Sequence, residues 1–275
     1  MRLSRLVCLV LLFPGCDGCG TQDPAGPDET SEQVGASADA TIEGVVRLAE
    51  GAQIPSYPEN PMIPPPGRPQ TPDACTPAQE RDRQPVQRSD AGGLSGVLVA
   101  LHDFATIPHH EPVTHEMTIT DCRLSPRLVV ATRDDRLRIT NETNYPFLPN
   151  FGGGLLQAVL HGRTREVELG QGGVRSLECG FAAQCGRAEI VTLYHPLHAV
   201  TDEIGHFRIT RVPAGEEVRV SAWHPLFVEA SQTLTLRAGQ TSTVELVLTP
   251  AEIIVPEATP PATDGPAEDN PDVLF

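Results

Sequence analysis

Between residues 41 and 250 apolar and polar positions alternate in short runs, broken by turns containing Gly, Pro and Asp. A two-residue period is the mark of a strand with one face in a core. The first run is "TIEGVVRLAEG" at 41–51, a strand closing on a Gly turn. Strand patterns resume at "GLSGVLVALHD" and continue through "HEMTITDCRLSPRLVVATRDDRLRITNET". There Leu128 with Val130, and Leu137 with Ile139, hold period-2 faces on either side of an Arg-Asp-Asp turn. A Gly-rich loop, "NFGGGLLQAVLHGRTREVELGQGG", ends in another strand, and "VRSLECGFAAQCGRAEIVTLYHP" leads into the last part.

From 187 to 250 the pattern predicts strands at 189–194, 198–201, 206–210 and 217–223, then two more around Arg-Ala-Gly-Gln at 237–240. Turn signals recur at roughly 8–12-residue spacing, as in a small sandwich. No stretch carries a helical period. The expected fold is all-β. Residues 52–93, Pro-rich in "IPSYPENPMIPPPGRPQTP", predict an extended excursion over the surface.

The two ends read differently. Residues 1–16 form a signal segment: a positive Met-Arg-Leu-Ser-Arg start, an apolar run at 6–13, then Phe-Pro-Gly-Cys. The run is shorter than the roughly 20 residues that span a bilayer. A small residue, Gly15, before Cys16 resembles the lipobox of bacterial lipoproteins, in which that Cys is diacylated after cleavage. Cys16 is thus the expected lipid anchor, although Phe13 and Pro14 depart from the usual motif. Residues 17–40 are small, polar and acidic and predict a disordered tether; the Pro-rich acidic tail 251–275 reads the same way.

Composition narrows the partners. Aromatic residues make up 4%, so the cores rest on Val, Leu and Ile. Formal net charge is -16, which repels phosphate backbones, so no nucleic-acid partner is expected. Export implies an oxidising compartment, in which cysteines pair. With Cys16 lipidated, Cys19, Cys75, Cys122, Cys179 and Cys185 remain, an odd number, and Cys19 in the tether is the natural one to stay single. Cys179 and Cys185 are close enough in sequence to close a small loop, which would leave Cys75 with Cys122. Four cysteines allow three connectivities, and spacing alone does not choose among them.

Two segments carry family resemblances. Thr201-Asp202-Glu203-Ile204-Gly205-His206-Phe207, Val212-Pro213-Ala214-Gly215 and Ala238-Gly239-Gln240-Thr241 resemble the signature of a carboxypeptidase regulatory-like domain, a transthyretin-like β-sandwich also grouped with carbohydrate-binding-like folds. The resemblance covers about 60 residues, and its chemistry is that of turns: Asp bonding its own backbone, Gly at positive φ. Phe207 is expected in the core. Upstream, "TDCRLSPRLVV", "ITNETNYPFLPN", "CGFAAQC" and "YHPLHAVTD" resemble exported bacterial proteins in which a cupredoxin-like domain runs into the regulatory-like one. The resemblance implies a cupredoxin-like domain over 41–186 and a carboxypeptidase regulatory-like domain over 187–250.

It also implies a lost copper site. Blue copper needs two imidazoles and a thiolate. Cys179 keeps the thiolate position, but Pro149 and Ala182 stand where the imidazoles belong. Cys185, near the axial methionine position, is placed to oxidise with Cys179. No metal and no cofactor is expected.

The remaining candidates are histidines. His109, His110 and His115 cluster around Pro108 and Pro112, and His195 and His198 flank Pro196-Leu197. Imidazoles so grouped suggest a metal or proton-linked site. The blander reading is preferred: an exposed loop, and a turn whose two histidines face opposite sides. His224 reads as structural, and Trp223 as a core or interdomain residue. Asp134-Asp135 reads as a turn. Asn141-Glu142-Thr143 matches a glycosylation triplet of little weight in a bacterial chain. No nucleophile elbow, metalloprotease helix or phosphate loop is present, so no catalytic set is expected.

The expectation is a non-enzymatic, lipid-anchored protein of the bacterial cell envelope, on the periplasmic or surface face. It would bind an envelope protein or glycan, or act as a scaffold. A copper redox protein is the alternative, and carbohydrate binding by the C-terminal sandwich is a third.

Overall fold

The computed structural model describes residues 39–57, 75, 83–152, 154–179, 185–215 and 217–252. Cys16, residues 17–38 of the expected tether and all but the first two residues of the tail lie outside them, as does Ala182; the tether ends earlier than expected, because Ala40 is buried and opens the first strand. The described residues lie in one compact unit.

They form nineteen strands and no helix. Before the first crossing of the molecule come β1 (Ala40–Leu48), β2 (Gln87–Arg88), β3 (Leu94–Ser95) and β4 (Leu98–His102). The middle of the chain supplies β5 (Thr114–Thr120), β6 (Arg123–Ser125), β7 (Leu128–Thr132), β8 (Arg136–Asn141), β9 (Pro149–Phe151), β10 (Gly154–Leu155), β11 (Thr164–Glu168), β12 (Gly173–Cys179) and β13 (Arg187–Leu193). The last part supplies β14 (His198–Val200), β15 (His206–Val212), β16 (Glu217–Trp223), β17 (Phe227–Val228), β18 (Ala230–Thr235) and β19 (Thr241–Pro250).

Four of the five sheets stack in order, the fifth being the β2-β3 pair. The outermost is β15-β1-β19-β17, followed by β14-β4-β16-β18, then β10-β9-β12-β13-β7, and last β11-β8-β5-β6. The first two sheets enclose one core, from Ile42, Val46, Val99, Leu101, Phe207, Val218, Val220, Val244 and Leu246. The last two enclose a second, from Met117, Ile119, Val129, Leu137, Ile139, Phe147, Leu177 and Ile190. Between the two sandwiches lies a third, smaller core: Leu98, Ala100, Leu128, Val130 and Val191, with Leu193 and Trp223 packed against it.

Burial patterns follow from this stacking. The outer strands alternate: β19 runs exposed-buried through Val244, Leu246 and Leu248, and β8 does so through Leu137, Ile139 and Asn141. The inner strands have no free face. In β4 Leu98 and Ala100 point to the middle core while Val99 and Leu101 point to the first. In β7 Leu128 and Val130 point to the middle core, and Val129 and Ala131 to the second. Strands buried on both sides read as continuous apolar runs, which is why "LVAL" and "LVVA" lose the two-residue period.

The linear division expected at residue 187 is not the one the sheets make. β1 pairs with β15 and β19, and β4 pairs with β14 and β16. The sandwich carrying the Asp202–Gly205 turn therefore takes two strands from the chain's first hundred residues. The sandwich of β5 to β13 is inserted between β4 and β14. A strand's alternation records which side is wet and carries nothing about its partner. Sequence proximity therefore groups β1 and β4 with the wrong sandwich.

The turns are built as their residues require. Asp202 Oδ1 accepts hydrogen bonds from the Ile204 and His206 amides at 3.0 and 2.8 Å, and Gly205 follows at φ 83°. Phe207 is in the first core, as expected. Phe227 belongs there too, whereas Trp223 faces the inserted sandwich. A Cβ on Gly205 would lie 2.6 Å from the Leu94 nitrogen and 2.7 Å from the Val46 oxygen.

Gly205→Ala is therefore expected to cost more than about 2 kcal/mol, from positive φ plus backbone overlap. Urea denaturation of the two proteins checks it, and a change within error would mean the β1–β15 edge relaxes freely.

Candidate functional site

Two constellations concentrate polar chemistry, and both lie where the sandwiches meet.

At one end the hub is Asp135, in the turn between β7 and β8. It is 1% exposed, although its neighbour Asp134 makes an ordinary turn at φ 72°. Asp135 Oδ1 accepts from the Val113 amide at 2.8 Å and lies 2.7 Å from His110 Nε2. Oδ2 accepts from the Thr132 amide at 2.8 Å and lies 2.9 Å from His115 Nε2. Burial alone would raise the carboxyl pKa, but the bonds from His110, Val113, His115 and Thr132 outweigh it and hold it below the usual carboxylate range.

Thr132 passes the network on. Its hydroxyl lies 3.1 Å from His198 Nε2 and 3.5 Å from the His195 carbonyl. His195 packs its ring edge-on against Phe104, with centroids 4.9 Å apart. On the facing sheet, His102 Nε2 lies 2.8 Å from Ser221 Oγ. Burial, reinforced by the other histidines, pushes both His195 and His198 down to about 4. Burial, with Arg219 beside it, also lowers His102. These imidazoles are neutral at pH 7.

The structure brings the rings of His110, His115 and His198 to one buried carboxylate and its Thr neighbour, where an open loop and a simple turn are the expectation from sequence; His195 joins through its carbonyl, with its ring against Phe104. His109 alone of the early cluster is exposed. The one sequence signal of the hub was the composition: histidines at both places where the chain passes between sandwiches.

At the other end, Glu189 is 1% exposed. Its Oε1 accepts from Tyr57 Oη at 2.7 Å and from Arg187 Nε at 2.6 Å, and the Arg187 guanidinium sits 4.8 Å from the Tyr57 ring centroid. Burial, with Glu189 adding to it, drives the Tyr57 phenol far up, so it serves as a donor only. Tyr57 begins the Pro-rich excursion, which is tied again to the inserted sandwich by a Cys75–Cys122 disulfide. His224 packs near Tyr57 with its Nδ1 accepting from the Leu226 amide at 3.2 Å. Burial lowers this imidazole to about 3.

The copper-type position does not fit copper. Cys179 ends β12, directly opposite Pro149 of β9, and its sulfur is bonded to Cys185. A thiolate ligand is thereby consumed, and proline offers no imidazole. Among the described residues no three His, Cys, Asp or Glu are grouped to hold a metal ion. Ser221 and His102 have the spacing of a nucleophile and base, but Ser221 is 3% exposed within the stack. Asn141 is fully buried, its amide bonded to the Tyr145 and Val159 carbonyls, so the Asn-Glu-Thr triplet offers no acceptor for a glycan.

No protein-family model matches this chain, and no curated protein matches it. Among solved structures the chain is similar to amicyanins. A reduced amicyanin variant aligns over 33% of this chain and 99% of its own, at 17% identity and a TM-score of 0.26. Amicyanin from Paracoccus versutus aligns over 32% and 95%, at 11% identity and a TM-score of 0.27.

Asp135→Asn should destabilise the protein by about 2–4 kcal/mol, since an amide cannot accept all four bonds and leaves buried donors unpaired. Because the native carboxyl has the lowered pKa, its contribution is complete above about pH 4 and is lost as pH falls through the lowered value. Denaturant midpoints at neutral and acid pH check this: the gap between wild type and variant should narrow in acid, and a gap independent of pH would contradict the ionised hub.

Proposed function

We propose that this chain is a non-enzymatic, exported lipoprotein that serves as a binding or scaffold module of the bacterial cell envelope, with a cupredoxin-like sandwich that no longer holds copper. The observation that carries the reading is Cys179. Its sulfur is locked to Cys185 across from Pro149, so the ligand set that the resemblance implies is dismantled at the two described positions. The two disulfides suit an oxidising compartment. Cys16 remains the proposed anchor, with the membrane as partner through the lipid and an envelope protein or glycan as the bound species. Trp223 packs against the middle core, which removes it as a sugar platform on the C-terminal sandwich.

Cells expressing wild type and Cys16→Ser test both halves together. Wild type should fractionate with membranes, carry no stoichiometric copper, and develop no intense visible band when copper is added; Cys16→Ser should be soluble. Equal membrane retention of the variant would remove the anchor, and a thiolate–copper band lost in Cys179→Ala would restore the redox alternative.

A further inference from the structure

The chain passes between the sandwiches twice. Residues 103–113 lead from β4 to β5, and residues 194–197 lead back from β13 to β14. The two crossings touch each other through Phe104 and His195, and both run at the same end of the middle core. That end is rich in imidazoles, whereas the opposite end is closed by the Glu189, Tyr57 and Arg187 contacts. The face that carries Leu98 and Ala100 continues in β4 to His102, and the face that carries Leu128 and Val130 continues in β7 to Thr132. Beside His102 in its own sheet stand Ser221 on β16 and His198 at the start of β14, and His198 reaches across to Thr132.

We propose that this end of the interface is a proton-operated latch, closed while His195 and His198 are neutral and released when they are charged, so that acid parts the two sandwiches without unfolding either. Charge facing these rings is unfavourable on nearly every side. His198 faces His195 on its own crossing, His115 on β5, His110 on the first crossing and Asp135 in the β7–β8 turn. Asp135 is the one carboxylate among these, and its oxygens are already shared by two imidazoles and two amides. His195 faces His102 on β4, which in turn faces Arg219, Glu229 and Asp103.

The direction follows from linkage. Both rings sit below their ordinary value of 6.5 in the closed form, at about 4, so the open form binds more protons. Closure is fully favoured above 6.5 and weakens as pH falls toward 4. Tyr57 is tied to Glu189 at the opposite end of the interface, and the Cys75–Cys122 bridge fastens the Pro-rich excursion to the inserted sandwich, so the opened halves stay joined.

Trp223, the chain's one tryptophan, packs on the middle core beside Leu98, at the end away from His102, so it reports parting of the whole interface and not a local change at the histidines. Its emission maximum should move to the red between pH 6.5 and 4 while the far-ultraviolet β signal stays constant. Wavelength is the proper readout, since the His224 ring lies 6.5 Å from the indole and quenches when charged; His224 itself titrates lower, at about 3. The double variant His195→Asn, His198→Gln keeps amide oxygens near the ring-nitrogen positions and removes the titration. Its midpoint should fall by at least about one pH unit or vanish. His102→Gln, a milder change, should lower the midpoint less, and it stands as the test if the double variant fails to fold. No red shift in wild type, a shift that coincides with loss of the β signal, or an unchanged midpoint in the variants would overturn the latch.

Discussion

The structure depends on burying both faces of the two middle sheets. Leu98, Ala100, Leu128, Val130 and Val191 form a small core, yet without it the sheets containing β4 and β7 would each show a strip of Leu and Val to water. Burial of such a side chain contributes about 1.5–3 kcal/mol. Several together hold the stack at neutral pH, where the buried groups at its ends are neutral or paired. This also explains why a sandwich can be inserted into another one. The chain leaves after β4 and returns at β14, and the two strands are hydrogen-bonded neighbours. The host sheet therefore closes over the insertion point without a gap.

The buried carboxylates at the two ends of that contact are both satisfied. Glu189 is held by Tyr57 and Arg187, and Asp135 by two amides and two imidazoles. An unpaired buried carboxylate would cost far more than the pairing gains, so each hub fixes the placement of the segments that complete it. The Pro-rich excursion is placed by Tyr57 and the Cys75–Cys122 bridge, and the first crossing by His110 and Val113. Segments without a periodic pattern of their own are positioned by the sheets they are tied to.

The sequence was informative where chemistry is local. Asp202, Gly205, Gly215 and Gly239 announce turns because only certain residues satisfy those backbones, and the structure has positive φ at all three glycines. Cys179 and Cys185 close a loop that their spacing allows. What was not legible is non-local. The alternation in "TIEGVVRL" gives a strand but not its parallel pairing with β19, which lies two hundred residues away in the chain. Asp135 looked like half of an Asp-Asp turn, and no residue near it in sequence says that His115 and a crossing loop will bury it. The histidine hub exists only once the sandwiches are stacked.

The central claim is that the two sandwiches are a single cooperative unit at neutral pH because strands β4 and β7 share a buried face. Differential scanning calorimetry of the full chain at neutral pH tests it most directly. One transition, with calorimetric and van't Hoff enthalpies equal, is the predicted result. Two resolved transitions, one for each sandwich, would contradict it.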